Sequence, residues 1–260
     1  MDSSDDGRLD LQAAADALGV HYQTAYRWVR TGRLPATLIA GRYVVAPHDL
    51  SVFDEVRNTP KTPAAPSRPR MGRAADRVHD ALVSGDEKTA VEIARKLTNE
   101  GSSIVDLIQE VFVPSLRRIG QAWHDGQLTI WAEHRAAAIV ERILGELAPN
   151  PRGRRRGTAL VAAVSGDHHA LPTTMAAAAL RDDNWHVEHL GADLPPEEIT
   201  QFCVDHDVSV AVITVTTATA TQLARDTAHS LRLAGTPTIV GAPGRTLAEL
   251  IGEARQAVAR

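Results

Sequence analysis

The segment Asp167-His168-His169 could present an imidazole to a metal. The carboxylate of Asp167 can accept a hydrogen bond from one ring nitrogen of His169, which fixes the tautomer and leaves the other nitrogen for a metal. Imidazole binds cobalt, iron, zinc and copper alike, so the pattern predicts a metal site without naming the ion. The alternative is a polar turn without a ligand. His168 has no matching role, and we expect it to be exposed.

The composition restricts how such a metal could be held. Cys203 is the single cysteine among 260 residues, so a disulfide framework and a cysteine-based zinc site are excluded. Metal chemistry in this chain therefore rests on nitrogen. No apolar run reaches the roughly 20 residues that span a bilayer. The polar, acidic start (MDSSDDGR) predicts no secretory signal. We expect a cytoplasmic protein without a membrane partner.

A second chemical feature is a stretch that suits DNA. Residues 17–47 contain no acidic side chain but several arginines, although the whole chain carries a net charge of -4. A recognition helix needs polar side chains for the bases and cations for the phosphates. The residues that we expect to contact DNA are Gln23, Thr24, Tyr26 and Arg27 at bases, and Arg30, Arg33 and Arg42 at phosphates. The alternatives are a solvated basic face and a protein-docking module.

Two segments divide the chain into three pieces. Residues 58–73 hold four prolines and almost no apolar bulk, so we predict a linker without a helix. Residues 149–157 (PNPRGRRRG) form a shorter predicted linker whose arginines favour solvent. The predicted domains are therefore residues 1–57, 74–149 and 157–260.

The first two pieces are predicted to be mainly helical. In the first, Asp10 is a predicted N-cap and Gly19 ends the first helix. A second helix over residues 21–30 and a hairpin over residues 37–45, turning at Gly41, complete the outline of a winged helix-turn-helix. The second piece contains four amphipathic helices with short connections, which is typical of a four-helix bundle.

The third piece alternates between strands and helices. We predict strands at residues 158–164, 186–190, 208–215 and 237–240. This alternation predicts a parallel sheet of the α/β flavodoxin-like (Rossmann-type) class. Ligands of such sheets bind at the carboxyl ends of the strands, which is where Asp167 and His169 lie.

The first piece resembles the MerR-like and excisionase-type DNA-binding domains along its whole length. The residues that carry the resemblance are Ala14, Leu18, Gly19, Val20, Thr24, Trp28, Gly32 and Pro35. The resemblance implies double-stranded DNA as a partner. One module offers few contacts, so we expect useful affinity to need more than one copy on DNA.

The third piece resembles the cobalamin-binding domain, whose signature is Asp-x-His-x-x-Gly, then Ser-x-Leu, then Gly-Gly. Asp167 and His169 match the first motif, with Pro172 in the place of its glycine. Thr214 to Thr216 stand in the Ser-x-Leu place, and Gly241-Ala242 in the Gly-Gly place. The resemblance implies that His169 is the lower cobalt ligand and that the small residues leave room for the nucleotide tail. The departures at Pro172, Thr216 and Ala242 imply weakened cobalamin binding or another tetrapyrrole.

The second piece resembles the CarH/LitR photoreceptor regulators, in which a helical bundle caps adenosylcobalamin. Trp123 is followed after nine residues by Glu133-His134, and His124 comes directly after the tryptophan. The resemblance implies that Trp123 packs against the adenosyl group, with Glu133 and His134 beside it. It also implies that His124 can bind cobalt once light has removed that group. The alternative is a bundle with Trp123 and Trp131 in its core.

Together the three resemblances imply a non-enzymatic, light-responsive transcriptional regulator. Adenosylcobalamin would support a homo-oligomer, a dimer or tetramer, on a double-stranded DNA operator, and photolysis would dissociate it. One alternative is a sensor of another tetrapyrrole, a bilin or haem, with the same architecture. A second is a corrinoid carrier protein for methyl transfer, and a third is a protein-binding adaptor.

Overall fold

The computed structural model of the chain describes residues 8–20, 22–30, 34–39, 41–58, 68–241 and 244–258. The chain divides into two compact units, Met1–Thr62 and Pro63–Arg260. None of the helices described combines the length and the apolar character that crossing a membrane requires.

The first unit is a winged helix-turn-helix, as predicted. Its elements are β1 (Leu9–Asp10), α1 (Leu11–Ala17), α2 (Tyr22–Arg30), β2 (Thr37–Ile39), β3 (Arg42–Val45) and α3 (Pro47–Asn58). Asp10 caps α1 by accepting a hydrogen bond from the nitrogen of Ala13 at 2.8 Å. The strands form an antiparallel sheet in the order β1-β3-β2, and Gly41 has the positive φ of 79° that the tight turn requires. Within this unit the ring of Trp28 packs against the ring of Phe53, with ring centroids 5.1 Å apart.

The second unit begins with the predicted four-helix bundle. Its helices are α4 (Arg68–Ser84), α5 (Glu87–Asn99), a long third helix from Ile104 to His124, and α8 (Ile130–Leu147). The third helix consists of α6 (Ile104–Leu107), a π-helical segment (Ile108–Phe112) and α7 (Val113–His124). Pro114 explains the wide π turn, because proline lacks the N–H that would bond to residue 110 and its ring needs space at that carbonyl.

The predicted linker over residues 58–73 is partly wrong. Asn58 ends α3, and α4 already begins at Arg68. Pro69 is tolerated there because the first N–H groups of a helix have no partner within the helix. Met71 is only 2% exposed and belongs to the bundle core, so this part of the segment does pack. Residues 59–67 lie outside the described part of the chain.

A four-stranded parallel sheet follows, in the order β5-β4-β6-β7. Its strands are β4 (Thr158–Val164), β5 (His186–Leu194), β6 (Val210–Thr214) and β7 (Thr238–Val240). The helices are α9 (Ala170–Asp182), α10 (Pro196–Asp205), α11 (Thr221–Leu233) and α12 (Leu247–Val258). Helices α9 and α12 cover one face of the sheet, and α10 and α11 cover the other. This confirms the predicted flavodoxin-like class.

The bundle packs against α9 of the sheet domain. Ala178 belongs to the bundle's own core, and Leu171 and Met175 pack against it. This contact places the middle of the long third helix beside the carboxyl ends of the strands. A groove between bundle and sheet results.

Candidate functional site

The loops after β4 and β6 bring together three hydrogen-bonded side chains, Asp167 and His169 from the first loop and Thr216 from the second. Asp167 is fully buried, and its Oδ1 lies 3.0 Å from Nδ1 of His169. The hydroxyl of Thr216 donates to the same oxygen at 2.5 Å and lies 2.9 Å from Nδ1 of His169. The backbone nitrogen of Thr216 donates to Oδ2 of Asp167 at 2.6 Å. Both carboxylate oxygens are therefore engaged.

The charge of Asp167 follows from these contacts. Burial raises the pKa of this carboxyl, but the hydrogen bonds from Thr216 and His169 outweigh burial and bring the pKa below its usual range. An ionised Asp167 accepts the Nδ1 proton of His169, which leaves Nε2 as the nitrogen with a lone pair. The side chain of His169 is 62% exposed, so this nitrogen is available to a ligand.

The end of β5 fixes the shape of this loop. Gly166 has a φ of 86° and donates its N–H to Oδ1 of Asp193 at 2.8 Å. The nitrogen of Asp193 in turn donates to the carbonyl of Asp167 at 3.1 Å. His168 contacts Asp193 at 3.2 Å and is 76% exposed, outside the three-residue cluster.

Next to the cluster, a groove of about 670 Å³ lies between the bundle and the sheet. Its walls are formed by Ile108, Gln109, Glu110, Val113 and Arg117 of the bundle, by Pro172, Met175 and Ala176 of α9, by Thr214, Val215, Thr216 and Gly241 at the strand ends, and by Gly244, Arg245, Thr246, Leu247 and Leu250. The groove therefore opens at the carboxyl ends of β6 and β7, the position at which parallel sheets bind ligands.

Two residues at the strand ends of the groove, Thr214 and Gly241, bear on what it could hold. The hydroxyl of Thr214 is buried and has no hydrogen-bond partner among the described residues. Such an orphaned group costs about 1–3 kcal/mol unless a ligand satisfies it. At Gly241 an added Cβ would lie 3.6 Å from Cα of Thr214, an ordinary contact, so protein packing alone does not require glycine here. Gly241 itself lines the groove.

One predicted departure from the cobalamin-binding pattern, Pro172, does not disturb the local backbone. Pro172 lies in the first turn of α9, where its missing N–H breaks no helical hydrogen bond. Its ring lines the groove. Ala242, in the second position of the Gly-Gly place, lies outside the described residues.

The predicted bundle residues lie beyond the groove, on either side of the turn between α7 and α8. Trp123 is 45% exposed and His124 is the exposed last residue of α7. Glu133 and His134 lie in the first turns of α8 and pair with each other at 2.6 Å. Trp123 therefore does not lie in the bundle core, and none of these four side chains contributes to the groove wall.

The predicted DNA-binding residues lie mainly on α2. Gln23, Tyr26 and Arg30 are exposed on this helix, Thr24 is half-buried, and the backbone of Arg27 continues the helix. Arg42 is exposed at the start of β3, in the wing. Arg33 lies outside the described residues.

Sequence reasoning missed an aromatic row on the same unit. Tyr22 stacks on Tyr26 with centroids 6.2 Å apart, and Tyr26 meets the edge of Tyr43 at 6.1 Å. The spacing of Tyr22 and Tyr26 by one helical turn was a signal for the first contact. Within the described residues, three or more His, Cys, Asp or Glu side chains nowhere converge on a metal site.

Comparison with known proteins gives three domain matches. Residues 74–148 and residues 157–259 each match a family described as a B12 binding domain, and residues 8–53 match a family described as a helix-turn-helix domain. The two B12-binding matches cover the bundle and the sheet domain that form the groove.

Individual relatives agree with these matches. A corrinoid protein of Desulfitobacterium hafniense is 25% identical over 47% of this chain and 59% of its own length. The HTH-type transcriptional repressor CarA of Myxococcus xanthus is 29% identical over 60% of this chain and 52% of its own length. The chain thus spans little more than half of the curated relatives that it matches. The structure of the monomethylamine corrinoid protein of Methanosarcina barkeri shares the fold, with a TM-score of 0.57 and 17% identity over 71% of this chain and 98% of its own.

Fold, groove and family matches define a protein with a helix-turn-helix domain followed by two B12-binding domains. This composition, together with the similarity to CarA, fits a CarH-type regulator and confirms the predicted resemblance.

Proposed function

We propose that this protein is a B12-dependent transcriptional regulator that senses light through adenosylcobalamin. The observation that carries the proposal is the Asp167–His169–Thr216 cluster beside the groove, in a chain that also contains a helix-turn-helix domain. We propose that His169 is the lower cobalt ligand. Asp167 orients its ring and Thr216 orients Asp167.

The groove provides the remaining contacts on the sheet side. We propose that the orphaned hydroxyl of Thr214 would donate a hydrogen bond to the cofactor's nucleotide tail when the cofactor is bound. Gly241 keeps the channel open, and Thr216 contributes to both the channel and the cluster. A satisfied Thr214 would recover the free energy that the apoprotein loses by burying it without a partner.

The turn between α7 and α8 provides the proposed upper side of the site. His124 lies 11 residues after Val113 and 7 after Arg117, which places the three on one face of α7. Val113 and Arg117 line the groove, so the stripe leads from the groove wall to His124. We propose that Trp123, Glu133 and His134 pack beside the adenosyl group and that His124 can bind cobalt after light removes it.

We propose that the regulatory response is a change in DNA binding. Tyr26, Arg27 and the other predicted contacts on α2 would face the major groove of an operator, with Arg42 of the wing on the backbone. When bound, adenosylcobalamin supplies a cobalt–carbon bond that light can break. We propose that a homo-oligomer, a dimer or tetramer, joins several helix-turn-helix domains in the dark and that its loss removes their combined affinity.

A size measurement with a spectrum tests the proposal. Apoprotein is mixed with adenosylcobalamin in the dark, and its absorbance and molecular size are recorded before and after green light. We expect binding in the dark and a fall in size after illumination. Binding without a change in size would leave a B12 sensor and remove the light response. The absence of binding would contradict the proposal and favour a bilin or haem, which the same titration can include.

A corrinoid carrier for methyl transfer is the second candidate, because two B12-binding domains and corrinoid proteins match the chain. The helix-turn-helix domain argues against it. A mobility-shift assay with genomic fragments separates the two, since a carrier would retain no fragment in any state of the cofactor.

A further inference from the structure

The segment between α8 and β4 carries four arginines, Arg152, Arg154, Arg155 and Arg156, which we name the arginine loop. Its backbone is held in place by the turn between α9 and β5. The side-chain amide of Asn184 donates to the carbonyl of Arg154 at 2.9 Å. The nitrogen of Arg156 donates to the carbonyl of Asn184 at 3.1 Å.

The anchored backbone contrasts with free side chains. Arg152, Arg154 and Arg155 are exposed, and no carboxylate lies within ion-pair distance of them in the part of the chain that the structure describes. The nearest carboxylate in the turn, Asp183, already pairs with Arg156 and with Arg255 of α12. Three positive charges of the arginine loop are therefore not neutralised by neighbouring carboxylates.

Five other arginines of this unit each pair with a carboxylate. Arg95 pairs with Glu146, and Arg142 pairs with Glu87. Further pairs are Arg70 with Glu100, Arg118 with Asp76 and Arg245 with Glu253. Single exposed arginines without an ion pair in the described part of the chain occur elsewhere on the unit, for example Arg117 and Arg225, but the arginine loop gathers three within four residues and is therefore a local excess of positive charge. Local excess of this kind attracts a polyanion.

The location of the loop keeps it away from the cofactor site. The loop precedes β4, and the turn that holds it precedes β5, so both lie at the amino ends of the strands. The groove and His169 lie at the carboxyl ends. A polyanion on the arginine loop would therefore leave the groove accessible.

We propose that the arginine loop binds the phosphate backbone of double-stranded DNA, as a contact additional to the helix-turn-helix domain. This inference rests on the proposed function. Guanidinium groups match phosphate oxygens, and each phosphate contact releases condensed counterions. The loop has no large apolar side chain with which to enter a lipid surface, and this favours DNA over a membrane. Such contacts do not depend on the base sequence, so they add affinity for any duplex.

The test uses the full chain and a duplex of about 30 base pairs of arbitrary sequence, titrated over a range of salt concentrations. The variant is the triple substitution Arg152→Gln, Arg154→Gln and Arg155→Gln. The matched control is Lys88→Gln, Lys96→Gln and Arg225→Gln, which removes the same charge from exposed positions on α5 and α11. Melting temperatures of both variants check that they fold.

We expect the arginine-loop variant to lose affinity about tenfold or more at low salt. Its slope of log affinity against log salt falls by about 0.9 for each phosphate that the variant no longer binds, while the control keeps the wild-type slope. Equal changes in both variants, or no change in the arginine-loop variant, would overturn the inference and leave the proposed function standing. A wild-type chain that binds no duplex at any salt, even with adenosylcobalamin present in the dark, would contradict the proposed function itself. Both proteins are also tested for binding to phosphatidylglycerol vesicles. If the arginine-loop variant binds these vesicles more weakly than wild type but binds DNA equally well, the inference is overturned in favour of a membrane.

Discussion

Thr216 holds Asp167 by two hydrogen bonds, one from its backbone nitrogen at 2.6 Å and one from its hydroxyl at 2.5 Å. The backbone bond survives a change of side chain, whereas the hydroxyl bond does not. The hydroxyl also lies 2.9 Å from Nδ1 of His169, so it touches both other members of the cluster. A single hydroxyl therefore controls how the buried carboxylate orients the imidazole.

Replacing Thr216 by valine should loosen this cluster. A hydrogen bond to a charged group contributes about 1.5–3 kcal/mol, so Thr216→Val should lower the free energy of unfolding by an amount in that range. Denaturation of the apoprotein measures it. Thr216→Ser keeps the hydroxyl and should retain most of the stability. Thr217→Val is the control, since the Thr217 hydroxyl is buried without a partner among the described residues. Equal losses for Thr216→Val and Thr217→Val would contradict the assigned role.

Thr214 should show the opposite pattern. Thr214→Val removes a buried hydroxyl that has no partner in the described chain, so the melting temperature of the apoprotein should stay the same or rise. Affinity for cobalamin should fall, because valine cannot donate the proposed hydrogen bond to the nucleotide tail. Melting curves and an absorbance titration test the two halves separately. A destabilised apoprotein with unchanged affinity would show that the hydroxyl serves the fold and not the ligand.

The carboxyl of Asp182 should make stability depend on pH. The residue keeps part of its surface exposed, but partial desolvation by the surrounding protein raises the pKa of this carboxyl above the ordinary value of 3.8, and a hydrogen bond from the nitrogen of Ile104 only partly offsets this. A carboxyl whose folded pKa is raised stabilises the fold below its unfolded pKa, and this contribution is lost as pH rises through the folded value. Asp182→Asn cannot ionise, so its melting temperature relative to wild type should rise between about pH 4 and pH 7.

The neighbouring Asp183 provides the control for that measurement. Its carboxylate pairs with Arg156 and Arg255, so Asp183→Asn should lower the melting temperature at neutral pH. A difference between Asp182→Asn and wild type that does not vary with pH would contradict the assigned desolvation effect.

On the DNA side, Arg30 and Arg42 should act as phosphate contacts. Both are exposed, one on α2 and one in the wing. The double variant Arg30→Gln and Arg42→Gln should bind every duplex more weakly, with a salt slope smaller by about 0.9 for each arginine. Lys88→Gln with Lys96→Gln removes the same charge from the bundle and should change little. If the arginine pair has no larger effect than the lysine pair, α2 and the wing do not form the DNA-binding face.

The periodic elements of the fold were predictable from sequence, because their signals are local. The cap at Asp10, the turn at Gly41 and the mostly buried strand Thr158–Val164 follow from residue type and from the run of apolar residues. The strand β5 extends to Leu194, beyond the predicted residue 190, and its last residues are irregular, with positive φ values at Gly191 and Asp193. In the sequence, glycine and aspartate at those positions are typical of a turn, so the prediction ended the strand too early.

The contacts around the site depend on tertiary structure and were less predictable. Asp167 and His169 are neighbours in sequence, so their hydrogen bond follows from the spacing. Thr216 is 49 residues from Asp167, and only the parallel pairing of β4 and β6 brings the two loops together. The contribution of Glu110 and Arg117 to the groove depends on how the bundle packs against α9. The periodicity of apolar residues in the sequence does not reveal this packing.

The most direct test of cobalt ligation compares two adjacent histidines. Wild type, His169→Ala and His168→Ala are each titrated with adenosylcobalamin in the dark, and the absorbance spectrum reports the lower cobalt ligand. We expect His168→Ala to give the wild-type spectrum, because His168 contacts Asp193 and lies outside the cluster. His169→Ala should lose the histidine-ligated spectrum and bind more weakly. A wild-type spectrum from His169→Ala would contradict the assignment of this imidazole to the metal.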